Sequence, residues 1–287
     1  MDRLVKTLIY NNELTLAVLD TTEMVNEAIK IHKLSPLSAA ALGRTMTIST
    51  FMSSGLKNET DKLSVTIAGD GVGGNITVSG NSKLQMRGTI DNPRAELPLR
   101  PDGKLNVGGC VGKGRLTVVK SMGLKEPYTG SARLVSGEIA EDFTAYYTFS
   151  EQTPTAIALG VKIGVDFTCI GAGGIIIQVL PNASEEAIIK AEEVMKNFSN
   201  VSTLIKEKTI EEIISEYFGE TSKLEVYYPK YECLCSREYI EKMLISLGEK
   251  ELRDIIKEQG QISVNCEFCE KDYVFTEQDV DGFFAKE

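Results

Sequence analysis

The sequence predicts an α+β fold: a mixed-sheet N-terminal core domain with packed helices, a helical linker, and a small C-terminal domain built around cysteines. Three observations predict it. From Leu14 to about Leu180, β-branched runs alternate with glycine-rich turns around one long stretch of small residues; from Pro181 the pattern becomes amphipathic helix; and four of the six cysteines follow Tyr227. The expected domains are 1–180, 181–226 and 227–287.

The chain has 287 residues, 42% apolar and 25% charged, enough to bury a large core and fold one or two smaller units besides. No apolar run approaches the roughly 20 residues of a membrane span. "MDRLVKTLIYNNELTL" lacks the apolar stretch and cleavage site of a signal peptide, so a cytoplasmic protein with no membrane association is expected. Thiols are normally reduced there, which favours metal or redox roles for clustered cysteines. Residues 1–180 carry eighteen Lys and Arg against seventeen Asp and Glu, and residues 181–287 thirteen against twenty-four. The cysteine-rich third is therefore acidic, the wrong sign for holding phosphates, and no nucleic-acid partner is expected.

"SPLSAAALGRTMTISTFMSSG" reads as a helix packed closely on a sheet, with Pro36 in its first turn and Gly55 at its end. "KLSVTIAG", "NITVSG", "KLQMRGTI", "GRLTVVKS" and "SARLVSG" read as strands. "GDGVGG", Gly69 to Gly74, matches the spacing of a dinucleotide-binding loop, but that motif must open a helix and here a strand follows. A glycine-rich turn is the expectation. Beyond Pro181, Ser184 caps a helix with Ile188, Ala191, Met195 and Phe198 at helical spacing. Thr209 and Glu212 open another, with Ile210, Ile213, Ile214 and Phe218 on one side and a stop at Gly219. Helices this short need a surface to dock on, either as a layer on the core domain or as a switchable linker.

"SREYIEKMLISLG" and "EKELRDIIKEQG" predict two short helices, then "QISVNC" and "DYVFTE" two strands with "CEFC" between them. Cys233 and Cys235 form a C-x-C pair and Cys266 and Cys269 a C-x-x-C pair, 30 residues apart. Four thiolates suit one tetrahedral Zn²⁺, and a unit this small is often stabilised by a metal. The zinc could be purely architectural, or "CEFC" could be the redox centre of a thiol-disulfide oxidoreductase, although such centres usually open a helix. Cys110 and Cys169 lack a partner at metal spacing and read as buried small hydrophobes. His32, the sole histidine, lies far from every cluster, and no catalytic residue is expected.

"CLCSREY", "CEFCEKDYVF", the stretch Glu126 to Val161 and "GAGGIIIQVLP" resemble the redox-regulated holdase chaperones of the heat shock protein thirty-three family, the bacterial 33 kDa chaperonins, across essentially the whole chain. The resemblance implies a chaperone and no enzyme, holding unfolding client proteins under oxidative and heat stress without ATP. It implies one Zn²⁺ on Cys233, Cys235, Cys266 and Cys269 in the reduced form. On oxidation it implies Cys233–Cys235 and Cys266–Cys269 disulfides with zinc release. Self-association into a homodimer on activation stays an open alternative.

Overall fold

The computed structural model describes residues 1–285. They form two compact units, the first spanning Met1–Glu232 and the second starting at Cys233. No helix among them is long and apolar enough to cross a membrane.

The large unit starts with the hairpin β1 (Arg3–Ile9) and β2 (Leu14–Asp20), then α1 (Thr22–His32) and α2 (Pro36–Ser53). A meander follows: β3 (Lys62–Gly69), β4 (Ile76–Asn81), β5 (Gln85–Ile90), a short α3 (Val107–Val111), β6 (Gly114–Ser121) and β7 (Tyr128–Arg133). Then come α4 (Ala140–Phe149) and the hairpin β8 (Thr155–Ile163) and β9 (Cys169–Val179). The unit ends with α5 (Glu185–Met195), a single 3₁₀ turn (Lys196–Phe198), α6 (Val201–Glu207), α7 (Ile210–Phe218), β10 (Glu225–Tyr227) and β11 (Lys230–Tyr231). Its sheets are a five-stranded β10-β1-β2-β9-β8 and a six-stranded β11-β5-β4-β3-β6-β7. Every pairing is antiparallel except β11 with β5.

Helix α2 begins as its sequence predicts, with Pro36 in the first turn and Ser35 Oγ accepting the Ser38 N–H at 3.2 Å. It is buried on nearly every side because it lies between the sheets, against β8 and β9 on one hand and β4 and β5 on the other. Its run of Ala39, Ala40, Ala41 and Gly43 permits that approach. "GDGVGG" is a turn from β3 to β4: a Cβ on Gly71 would lie 2.4 Å from the Cys110 carbonyl oxygen, so the glycines serve close packing on α3.

"SARLVSG" is strand only to Arg133. From Val135 the chain turns around the buried Asp142 carboxylate, which accepts N–H groups from Val135, Ser136, Gly137 and Ile139 at 2.7–3.2 Å. Those bonds replace the sheet ladder. Strand β1, upstream of the region read as β-rich, pairs along its length with β2.

The outer face of the five-stranded sheet, through Val5, Leu16, Val18, Ile175 and Ile177, carries α5–α7. The buried stripe of α5 is Ala187 and Ala191, with Ile188 and Met195 only half-buried; Phe198, Ile210, Ile213, Ile214 and Phe218 are buried. Helix α6, absent from the expected pattern, rests on glycine. A Cβ on Gly160 would meet Ser202 N at 2.7 Å, and one on Gly171 would meet Ser202 O at 2.4 Å. After α7 the chain does not leave this unit at the boundary expected after 226, because β10 completes one sheet and β11 the other.

The second unit contains α8 (Arg237–Ile245), α9 (Glu249–Gln259), the hairpin β12 (Ile262–Cys266) and β13 (Lys271–Phe275), and α10 (Glu277–Phe284). Its core is small: Ile240, Leu244, Leu252, Ile262, Tyr273, Phe275 and Val280. The strand expected through Glu277 ends at Phe275 because Thr276 and Asp279 form a capping box that starts α10 instead.

Candidate metal centre

Two local structures present the four thiols. Cys233 and Cys235 lie on the loop entering α8, and Ser236, next to Cys235, caps that helix by accepting the Tyr239 N–H at 3.1 Å. The loop is thus fixed against a helix start. Cys266 and Cys269 bracket the β12–β13 turn, where the Cys266 carbonyl accepts the N–H groups of Cys269 at 3.1 Å and Glu270 at 2.8 Å, with Glu270 in the left-handed region. The turn aims the Phe268 N–H at the Cys266 sulfur and the Lys271 N–H at the Cys269 sulfur. "CEFC" therefore occupies a hairpin turn, without the helix N-terminus that activates a thiol in oxidoreductase motifs.

The four Sγ atoms all lie within 4.8 Å of one another. Cys233 and Cys266 are 3.6 Å apart and Cys235 and Cys269 3.3 Å, well beyond the about 2.0 Å of a disulfide. A tetrahedral site with metal–sulfur bonds of about 2.3 Å has sulfur–sulfur edges near 3.8 Å, so the two close pairs would open by a few tenths of an ångström around one tetrahedral ion. The four residues are half-buried, and Cys235 and Cys266 also pack against the apolar core.

The electrostatics favour a cation. At Cys235 burial opposes ionisation, but the hydrogen bond from the Tyr273 hydroxyl at 3.2 Å, aided by the neighbouring thiols, brings it down to about 7. Cys266 and Cys269 are pushed up, by burial first and by neighbouring sulfurs as well. One thiolate forms readily and further ones accumulate repulsion that a divalent ion removes. These four cysteines can hold a metal ion.

The other sequence candidates lie elsewhere. Cys110 on α3 and Cys169 at the start of β9 are buried, and burial pushes each up to about 11, the state of an inert thiol. His32 is buried at the end of α1, its Nε2 3.2 Å from the Tyr231 hydroxyl. Sequence reasoning passed over Tyr273. Its signal was an aromatic residue with a polar tip at an inward position of the strand after "CEFC".

The family model described as Hsp33 protein matches residues 2–276. A 33 kDa chaperonin of Desulforamulus reducens is 45% identical over 263 residues, covering 91% of this chain and 89% of its own. One from Bacillus subtilis is 41% identical over 285 residues, covering 98% of each. The crystal structure of the 33 kDa chaperonin, a heat shock protein 33 homolog, from Thermotoga maritima is similar with a TM-score of 0.89 at 32% identity, covering 98% of this chain and 97% of that one.

Proposed function

This chain belongs to the Hsp33 family, and from that premise we propose that it is a cytoplasmic, ATP-independent holdase switched on by oxidation of Cys233, Cys235, Cys266 and Cys269. Its partners are unfolding proteins under oxidative and heat stress. The observation carrying this reading is the placement of four convergent sulfurs in a unit whose core, among the described residues, holds seven buried apolar side chains. Structural zinc contributes roughly 10–16 kcal/mol of apparent binding free energy at neutral pH, comparable with the whole stability of a small domain.

In the reduced state the four thiolates hold one Zn²⁺, which supplies the positive charge their proximity demands. Peroxide then takes two electrons from each pair of thiolates: one sulfur–sulfur bond forms, the peroxide O–O bond breaks, and with two protons drawn from solvent two waters leave. The proposed pairs are Cys233–Cys235 and Cys266–Cys269. With its thiols spent, the second unit loses its main support and unfolds. The docked apolar faces of α5–α7, Phe198, Ile213, Ile214 and Phe218 among them, then become available to clients.

The test measures zinc content and light scattering from a heat-denaturing client before and after mild peroxide, with disulfides mapped by mass spectrometry. Zinc loss together with new suppression of scattering is the expected outcome. Equal suppression by both forms removes the switch, and zinc retained after peroxide means a constitutive scaffold.

A further inference from the structure

The residues joining α7 to the first metal-binding cysteine form a strap across two sheet edges. Strand β10 pairs with β1 at Leu4–Tyr227, Val5–Val226 and Lys6–Glu225, and β11 pairs with β5 at Gln85–Lys230 and Met86–Tyr231. Without them β1 and β5 would be the edges of their sheets. Besides these pairings, side chains pin the strap: Thr7 Oγ1 donates to Ser222 O at 3.0 Å, Gln85 Nε2 to Glu232 Oε2 at 2.7 Å and the Tyr231 hydroxyl to Gly88 O at 3.1 Å. Ser222 N–H donates to Leu8 O at 3.0 Å, Lys230 N–H to Leu84 O at 3.0 Å and Glu232 N–H to Met86 O at 2.8 Å. Tyr227 and Tyr231 turn inward against the core while Val226 and Tyr228 stay exposed. Beneath it Lys6 lies 5.7 Å from the Tyr227 ring and 5.5 Å from the Phe51 ring, and forms no ion pair among the described residues. Beside β1 is a cavity of about 690 Å³, lined by Phe51, Met52, Leu56, Met122 and Tyr147 and walled on one side by Ser222 and Glu225 of the strap.

We infer that Thr221–Glu232 is a tethered occupant of a strand-docking site, and that an extended segment of an unfolded polypeptide takes its place when the strap lifts. The claim rests on the oxidative switch proposed above, since Glu232 is followed directly by Cys233. An open strand edge offers a row of unpaired backbone donors and acceptors that any extended chain can satisfy, so affinity does not depend on client sequence. Preference comes from side chains. The resident segment, "LEVYYPKYE", sets an apolar and aromatic centre, Val226 to Tyr228, between charged residues at Glu225, Lys230 and Glu232, and the Lys6–Glu225 register favours an acidic residue beside β1. The adjacent cavity accepts an apolar side chain.

The test uses the full chain and a fluorescent peptide of the strap's own sequence, "TSKLEVYYPKYE", followed by anisotropy. A second peptide carries N-methyl groups at the residues matching Lys230 and Glu232, which removes two strand donors and leaves every side chain in place. Binding is expected to the oxidised, metal-free chain and not to the reduced one, with at least tenfold weaker binding of the methylated peptide. Amide exchange at β1 and β5 is expected to rise on oxidation and fall again when the peptide is added. Protected β1 and β5 amides in the metal-free chain, or equal binding of both peptides, would overturn the proposal. If peroxide fails to release the metal, the switch is what fails. The reduced Ser222→Pro/Tyr231→Ala variant then decides the docking site alone: methylation-sensitive peptide binding supports it, and absence of binding overturns it.

Discussion

The Tyr273 hydroxyl donates to the Cys235 sulfur across 3.2 Å, joining a core residue of β13 to a thiol on the loop before α8. Groups that hydrogen-bond metal ligands hold them in place and tune their charge. Tyr273→Phe is expected to keep the fold and weaken metal affinity about tenfold, read by competition with a chromophoric chelator. Wild-type affinity would show that the bond plays no part in the bound state.

Arg237 clasps the second unit, its guanidinium 4.3 Å from the Phe275 ring centre while donating to Val274 O at 2.8 Å and Asp279 Oδ1 at 2.9 Å. Arg237→Ala is expected to destabilise this unit by about 1–2 kcal/mol. Arg237→Lys should recover only part, lacking the planar fork. Urea titration monitored by amide exchange in α8 and β13 reads both.

Gly171 gives a separate handle on the linker. A Cβ there would lie 2.4 Å from Ser202 O and 3.1 Å from Lys206 Cβ, so Gly171→Ala forces α6 outward at a cost of about 1–3 kcal/mol. Exchange over residues 201–218 should rise while β2 stays protected. On the proposed function, the reduced variant should also suppress client scattering more than reduced wild type.

Asp2 governs a pH dependence. Burial raises its carboxyl to about 7 despite two backbone N–H donors, from Glu23 at 2.8 Å and Met24 at 2.7 Å. The folded state therefore holds this proton where the unfolded chain, near 3.8, has lost it, and stability falls as pH rises from about 4 to 7. Asp2→Asn, which cannot ionise, should flatten that decline, leaving the melting temperatures of variant and wild type to diverge with pH across this window. Parallel curves would remove Asp2 as the cause.

The four cysteines were legible because metal chemistry imposes spacing on sequence, and α2 because small residues, Ser35 and Pro36 write their geometry locally. Tyr273 was not, since its role depends on the fold bringing β13 beside Cys235. Helix α6 was missed for a related reason: the information lies in Gly160 and Gly171, on strands distant in sequence, and Val201–Glu207 is too short for its periodicity to stand out. The boundary after residue 226 followed the cysteine-rich composition, whereas β10 and β11 belong to the large unit through pairings with β1 and β5, long-range contacts that composition does not encode.

The glycine bed under α6 also determines how its departure must proceed. Contact between bare backbones depends on dispersion, which loses a quarter to a half of its strength over a gap of about 0.5–1 Å. Helix α6 is held in two ways, by the buried side chains of Val201 and Ile205 and by its own backbone lying directly over Gly160 and Gly171, and a small tilt costs the second before the first. Release therefore starts where backbone meets backbone, and a stressed molecule loosens α6 over the glycines while Val201 and Ile205 still anchor it.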